Sequence, residues 1–191
     1  MTAMLTRKTQ VKSLHGQKVI LREKRLADAA NDYAWGSDRE LMCLDAAEPF
    51  EVTFAEFLVS YGEEITHQNK KHRRFAIETL ASKHIGNCTY YGIDNMHKEA
   101  ELGIVIGDRE YWGKGYGSDA VITLVYHIFR DVGVRRIHLH TLEWNIRAQR
   151  CFEKCGFTPC GHIVKRGHEF IKMELYRGWL EPASVLPDSE R

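Results

Sequence analysis

Trp112-Gly113-Lys114-Gly115-Tyr116-Gly117-Ser118 is the stretch on which the reading of this chain turns. An apolar run, Leu102 to Ile106, leads into it. Val121, Leu124, Val125 and Ile128 follow it at the i, i+3, i+4, i+7 spacing of a helix. Glycines at alternate positions let a backbone turn tightly and point its N–H groups at a ligand. The first turn of the helix adds unpaired N–H donors and the positive end of the helix dipole. Strand, glycine loop and helix in that order form a site for a phosphate or pyrophosphate.

Working outward towards the N-terminus, Gln17 to Arg22 reads as a strand. Leu26, Ala30, Tyr33 and Ala34 make a helical stripe that stops near Gly36, and residues 36–52, with Pro49, read as an irregular connection. Thr53 with Glu56 has the form of a capping box for a helix carrying Phe54, Phe57, Leu58 and Tyr61, ended by Gly62. Three meandering strands follow, Arg73 to Leu80, Lys83 to Ile93 and Glu99 to Ile106, with turns at Ala81-Ser82 and Asp94-Asn95.

Beyond the loop, a helix is expected from about Gly117 to Asp131, stopped by Gly133. A strand, Val134 to Thr141, and a helix, Asn145 to Cys155 with Gly156 as its stop, come next. Thr158 to Lys165 and His168 to Tyr176 form a hairpin around Arg166-Gly167. The order β-αα-βββ-α-β-α-ββ predicts one α/β (α+β) domain: a mixed, mostly antiparallel sheet with helices on both faces. The expected boundaries are an N-terminal segment, 1–14, a domain over 15–178, and a flexible tail, 179–191, holding Pro182 and Pro187.

A chain of 191 residues can build a core without staples. The net charge of +1 argues against nucleic-acid binding by bulk charge. The run Lys70-Lys71-His72-Arg73-Arg74 lacks interleaved aromatics and reads as a solvated loop edge. No apolar run approaches the roughly 18 residues of a membrane span, and Met1 to His15 has no apolar leader core, so a cytoplasmic protein is expected. Cys43, Cys88, Cys151, Cys155 and Cys160 include no Cys-x-x-Cys pair, which predicts reduced thiols and no metal. Charge is uneven: residues 38–64 carry eight acids against Arg39, while 130–172 carry nine bases against four acids. Such a chain can handle a cationic and an anionic ligand together.

The spacing G-x-x-x-x-G-K-[ST] of a nucleotide triphosphate loop is absent. A dinucleotide fold is the more serious alternative, since Gly113-x-Gly115-x-Gly117 follows a strand and Glu143 could hold a ribose. Its third glycine comes one residue early, five residues separate Gly107 from Gly113, and only one βαβ unit exists.

Two separated runs resemble the GNAT N-acetyltransferases. Glu101-Leu102-Gly103-Ile104 through Tyr111-Trp112-Gly113-Lys114-Gly115-Tyr116-Gly117-Ser118-Asp119-Ala120 resembles their first motif. Asn145-x-x-Ala148-x-x-Cys151-Phe152-Glu153-Lys154-Cys155-Gly156-Phe157 resembles their second. The likeness covers about residues 15–176, and its Tyr-Trp-Gly-Lys-Gly-Tyr wording is most similar to the ribosomal-protein N-terminal acetyltransferase branch.

That resemblance implies acetyl-coenzyme A as donor, a primary amine as acceptor and a homodimer. It assigns the pyrophosphate to backbone amides of Gly113, Gly115, Gly117 and Ser118, with Lys114 and Tyr116 in the same loop. Trp112 stands where the family carries Gln or Arg, so the family's side-chain donor is missing. Val105, Ile106 and Gly107 match the splayed strand whose free backbone pairs with the pantetheine arm. Asn145 matches a coenzyme contact and is equally a helix N-cap.

Acetyl transfer needs a neutral amine, a held oxyanion and a departing thiolate. The resemblance places the oxyanion at a backbone N–H near Val105. The family's acid, a Tyr, is matched by Phe152, which also reads as core packing; Tyr116, a water or unassisted departure remain for that role. Glu101 and His140 are the candidate bases, with His138 on the same face as His140. Need for a base depends on the acceptor: an α-amine near pKa ~8 is partly neutral, a lysine-type amine near ~10.4 is not. The acidic 38–64 region is expected to draw in a cationic amine. A coenzyme A-binding domain without turnover is the other reading, and Phe152 favours it.

Overall fold

The computed structural model describes residues 13–66 and 72–179. One sheet of eight strands runs through it. Its members are β1 (Ser13–His15), β2 (Val19–Glu23), β3 (Arg73–Thr79), β4 (His84–Asp94), β5 (Glu99–Ile106), β6 (Arg136–Leu142), β7 (Thr158–Lys165) and β8 (His168–Tyr176). The spatial order is β1-β2-β3-β4-β5-β6-β8-β7, and every pairing is antiparallel except that of β5 with β6. That single parallel pair is joined through α4 (Tyr116–His127), so the described residues hold one βαβ unit and no second half for a dinucleotide fold.

Five α-helices flank the sheet: α1 (Ala29–Gly36), α2 (Arg39–Leu44), α3 (Phe54–Thr66), α4 and α5 (Ile146–Lys154). The apolar stripe of α4, with Val121, Leu124 and Val125 at most 1% exposed, shares one buried cluster with Val19, Leu21, Leu102 and Ile137 of the sheet. Burial of this kind contributes about 25 cal/mol per Å² of apolar surface.

Three expectations change. The first strand is a hairpin: β1 was not foreseen because the three N–H groups of Gln17, Lys18 and Val19 turn onto the Asp119 carboxylate at 3.0, 2.7 and 3.0 Å, a partner about a hundred residues away. The connection 36–52 contains α2, started by Asp38, whose side chain accepts from the N–H of Glu40 and Leu41. Gly62 does not end α3, which continues to Thr66. The Thr53–Glu56 capping box is present, with Thr53 N–H donating to Glu56 at 2.8 Å. Arg73 and Arg74 open β3, where the strand was expected to begin, and pair with Glu23 and Glu64, while Lys70, Lys71 and residues 1–12 and 180–191 fall outside the described residues.

Between the sheet and α1 lies a buried charge network. Arg22 grips Asp28 with two bonds of 2.8 Å and also pairs with Glu78. Lys24 pairs with Asp32 at 2.7 Å, which in turn accepts from Tyr61 and Asn87 at 2.8 Å. Each charge is matched, as burial requires.

Candidate active site

β5 and β6 are paired only at Glu99↔Arg136, Ala100↔Ile137 and Glu101↔His138. Beyond Glu101 they part, although β5 continues to Ile106 and β6 to Leu142. The opening leaves one edge of the second half of β5 without a strand partner. A cleft of about 430 Å³ lies there, walled by Ile104, Val105 and Ile106, by the glycine loop, by α5 and by Leu41, Leu44 and Asp45 at the end of α2.

The loop has the backbone its glycines permit. Gly113 and Gly115 sit at φ +69° and +84°, in the left-handed region. Gly115 opens α4, and the Lys114 carbonyl accepts from Lys18 Nζ at 2.9 Å, which ties the loop to the β1–β2 hairpin. Gly113, Gly115, Gly117 and Ser118 are on the cleft wall, at the N-terminal end of α4. Arg147, Arg150 and Lys154 of α5 line the same cleft. Loop donors and a basic wall suit a diphosphate-bearing coenzyme.

Lys114 and Tyr116 are not part of that wall: Lys114 is exposed, and Tyr116 packs edge-on against Tyr111 at 4.9 Å. Gly107 serves packing instead, since a Cβ there would meet the Trp35 ring at 2.1 Å. Asn145 is the N-cap: its side chain accepts from Ala148 N–H at 3.2 Å, and the residue also lines the cleft. Phe152 is 7% exposed, belongs to the core and closes the cleft floor.

Trp112 keeps a side-chain donor after all. Its indole Nε1–H donates to the Ile106 carbonyl at 2.6 Å, so that carbonyl points into the opening. The Val105 carbonyl instead lies against β4 beside Gly86, where a Cβ would approach it to 2.2 Å. Amide and carbonyl of one strand residue point to the same side, so Ile104 and Ile106, rather than Val105, turn their N–H groups towards the opening. The N–H expected to face the opening at Val105 faces β4 instead. Arg147 stacks on the Trp112 ring with Cζ 3.5 Å from its centroid.

The candidate bases gather on the opposite face of the sheet from the α4 core, where the strands part. His140 Nδ1 lies 2.8 Å from Glu101 Oε1, and His138 Nε2 lies 3.7 Å from Glu101 Oε2. Burial would raise the Glu101 carboxyl, but the His138 and His140 rings and the Tyr91 hydroxyl beside it outweigh that and hold it at about 2. Asp45 is near enough to act on Tyr91 electrostatically. Protein crowded around Asp45 pushes its carboxyl up to about 6, an effect tempered because it remains open to solvent. Asp38 and Glu40 are not free to draw in a cation: Arg109 holds Asp38 with two bonds of 2.9 Å and Glu40 with one of 2.8 Å.

Sequence reasoning missed Arg147, Cys151, Tyr91 and the end of α2. Cys151 Sγ stands 3.3 Å from Ser118 Oγ on the cleft wall. Arg147 and Cys151, both within the second motif, carried a readable signal. No three His, Cys, Asp or Glu among the described residues cluster as metal ligands.

A phosphate-gripping loop beside a strand whose edge is freed by a splayed neighbour defines a coenzyme-dependent acyl-transfer site. The family model for the acetyltransferase (GNAT) domain matches residues 18–158. The spermidine N(1)-acetyltransferase of Vibrio cholerae is 29% identical over 148 residues, 78% of this chain and 83% of that protein. An uncharacterized N-acetyltransferase, p20, of Bacillus licheniformis is 28% identical over 86% of this chain and 92% of its own. The crystal structure of the Vibrio cholerae spermidine enzyme in complex with CoA and spermine superposes with a TM-score of 0.73 at 26% identity, covering 84% of this chain and 96% of that one. This chain belongs to the GNAT acetyltransferase family. Its donor is acetyl-coenzyme A.

Proposed function

We propose that this acetyltransferase acetylates a primary amine of a cationic, polyamine-type small molecule. The observation that carries the acceptor class is the pair of carboxylates, Glu101 and Asp45, set around Tyr91 where the sheet opens. Glu101 is ionised at neutral pH, and Asp45 loses its proton more readily with an ammonium beside it. Two such charges favour a flexible polyamine over a peptide N-terminus, whose single ammonium would leave one unmatched. Similarity to spermidine and spermine acetyltransferases of Vibrio cholerae and Bacillus subtilis supports the same class.

Backbone amides of Gly113 to Ser118 hold the diphosphate, and the freed edge of β5 aligns the pantetheine arm. The N–H of Ile104 or Ile106 meets the developing oxyanion. With Phe152 in place of the family's tyrosine, the thiolate leaves without a tyrosine acid, which a thiol pKa near ~8.5 permits. Work in the cytoplasm fits the five free thiols. A homodimer is the expected assembly, to be checked by sedimentation.

Thiol release from acetyl-coenzyme A with a panel of linear polyamines, aminoglycosides and peptides with free N-termini tests the acceptor. Polyamines should exceed peptides in kcat/KM by at least about tenfold, or ~1.4 kcal/mol. A preference for the peptide α-amine would overturn the reading.

A further inference from the structure

Two thiols and a hydroxyl meet where the glycine loop touches α5. Cys151 Sγ stands 3.3 Å from Ser118 Oγ, and a Cβ on Gly117 would lie 3.6 Å from the same sulfur. Gly117 and Ser118 are in the first turn of α4, a helix of twelve residues. Backbone N–H groups and the positive end of the dipole favour a negative charge there. Cys155, the C-cap of α5 one turn on, closes the cluster: its thiol lies on the Ser118 carbonyl at 3.6 Å, and the residue is buried. Cys151 is half-buried and lines the cleft, so it is the sulfur that a molecule in the cleft can reach.

Its neighbours decide which sulfur carries charge. The Cys155 thiol beside it, with the Ser118 hydroxyl and the Lys154 ammonium, holds the Cys151 thiol below its ordinary value against the opposing effect of burial. Cys151 and burial push the Cys155 thiol the other way, so Cys155 keeps its proton. Thiolates in electropositive, partly open surroundings are the ones that react. Arg147, Arg150 and Lys154 line the cleft against one acid, Asp45, so the cleft favours an anionic reagent over a cationic one.

We propose that Cys151 is a site of reversible S-thiolation by an anionic low-molecular-weight disulfide, and that this mixed disulfide and the coenzyme exclude each other. The inference rests on the coenzyme site and not on the choice of amine acceptor. The Cys151 thiolate attacks one sulfur of the disulfide. A new S–S bond forms as the old one breaks, and the electron pair leaves on the second sulfur as a thiolate. Cys151 is oxidised, the departing thiol is the reduced product, and the disulfide itself is the oxidant. Excess free thiol runs the exchange backwards. The group left on Cys151 sits against the Gly117 and Ser118 amides, the seat of the diphosphate, so the blocked chain cannot hold coenzyme. A chain that already holds coenzyme keeps this sulfur covered.

The test treats the wild-type, coenzyme-free protein with oxidised glutathione, a net anionic disulfide, and maps the adducts by mass spectrometry. Cys151 should be modified several-fold faster than Cys43 and Cys160, although both of those are exposed. Cystamine, a cationic disulfide, should modify Cys151 more slowly. Coenzyme A at about ten times its Kd should slow the reaction at Cys151 about tenfold, in proportion to the fraction of chains left empty. It should leave Cys43 and Cys160 unprotected.

The glutathione adduct should abolish the calorimetric heat of coenzyme A binding, and dithiothreitol should restore it. Whatever coenzyme affinity Cys151→Ser retains should be indifferent to oxidised glutathione. Equal labelling of the three cysteines, a faster reaction with cystamine, labelling of Cys151 undiminished by coenzyme A, or an adduct-bearing protein that still binds coenzyme would each overturn the proposal. Failure of the coenzyme site itself looks different, since the unmodified protein would then give no heat with coenzyme A.

Discussion

The indole N–H of Trp112 donates to the carbonyl of Ile106 at 2.6 Å, so a side chain from the phosphate loop occupies the free edge of β5. A coenzyme whose pantetheine amide pairs with that carbonyl must displace the indole. The bond thus closes the edge in the free protein and competes with the ligand.

Trp112→Phe removes the donor and keeps a ring for Arg147. The free protein should lose about 1 kcal/mol for the orphaned carbonyl, a Tm fall of roughly 2–4 °C. Acetyl-coenzyme A should then raise Tm by more than it does in wild type. Differential scanning fluorimetry with and without the coenzyme checks both, and an equal or smaller ligand-induced rise would count against the competition.

Asp38 and Asp45 stand seven residues apart and should behave differently. Asp45→Asn should raise the acceptor KM several-fold and leave the coenzyme KM alone. Asp38→Ala loses both the cap of α2 and one partner of Arg109, a cost of about 1 kcal/mol for the cap. It should lower Tm with a smaller change in acceptor KM. Steady-state kinetics beside a melt separates them.

Acid stability should follow the Arg22–Asp28 pair. Burial would raise the Asp28 carboxyl, but the Arg22 guanidinium and the Arg25 N–H outweigh it and hold it at about 2. An unfolded Asp titrates near ~3.9. Its folded value is the lower of the two, so its contribution is complete above about pH 4 and lost as pH falls through about 2. Thermal melts should show stability declining over that interval in wild type and declining less steeply in Asp28→Asn. The variant should also start from a lower Tm at pH 7, because Arg22 loses a buried partner.

Gly115→Ala forces a side chain into φ +84°, which costs roughly 1–2 kcal/mol. The loop should relax that strain by turning its amides off the diphosphate. Coenzyme affinity should fall about tenfold or more, while acceptor KM at saturating coenzyme changes little. Calorimetry and initial rates test this, and unaltered affinity would show that the loop conformation does not matter for binding.

What the sequence revealed and what it hid divide along a physical line. The glycine loop, α4, α5 and the β3–β4–β5 meander rest on local spacing and turn residues, and their expected bounds lie close to those observed. β1 depends on Asp119, and α2 on a short capped segment beside Pro49, so neither could be read from a periodic stripe. Site residues followed the same rule. Glycine positions carry their own backbone signal, whereas the bond from Trp112 to Ile106 and the one from His140 to Glu101 depend on where two strands part. The expected Val105 donor failed for a similar reason: alternation along β5 needs its register against β4, which no single strand contains.

Titration calorimetry with coenzyme A and with pantetheine, its phosphate-free end, is the most direct measurement of whether main-chain groups from Gly113 to Ser118 grip a diphosphate. One coenzyme A per chain should bind with a saturable heat, and pantetheine at the same concentration should give none. No uptake of coenzyme A, or equal affinity for pantetheine, would contradict the account at its base.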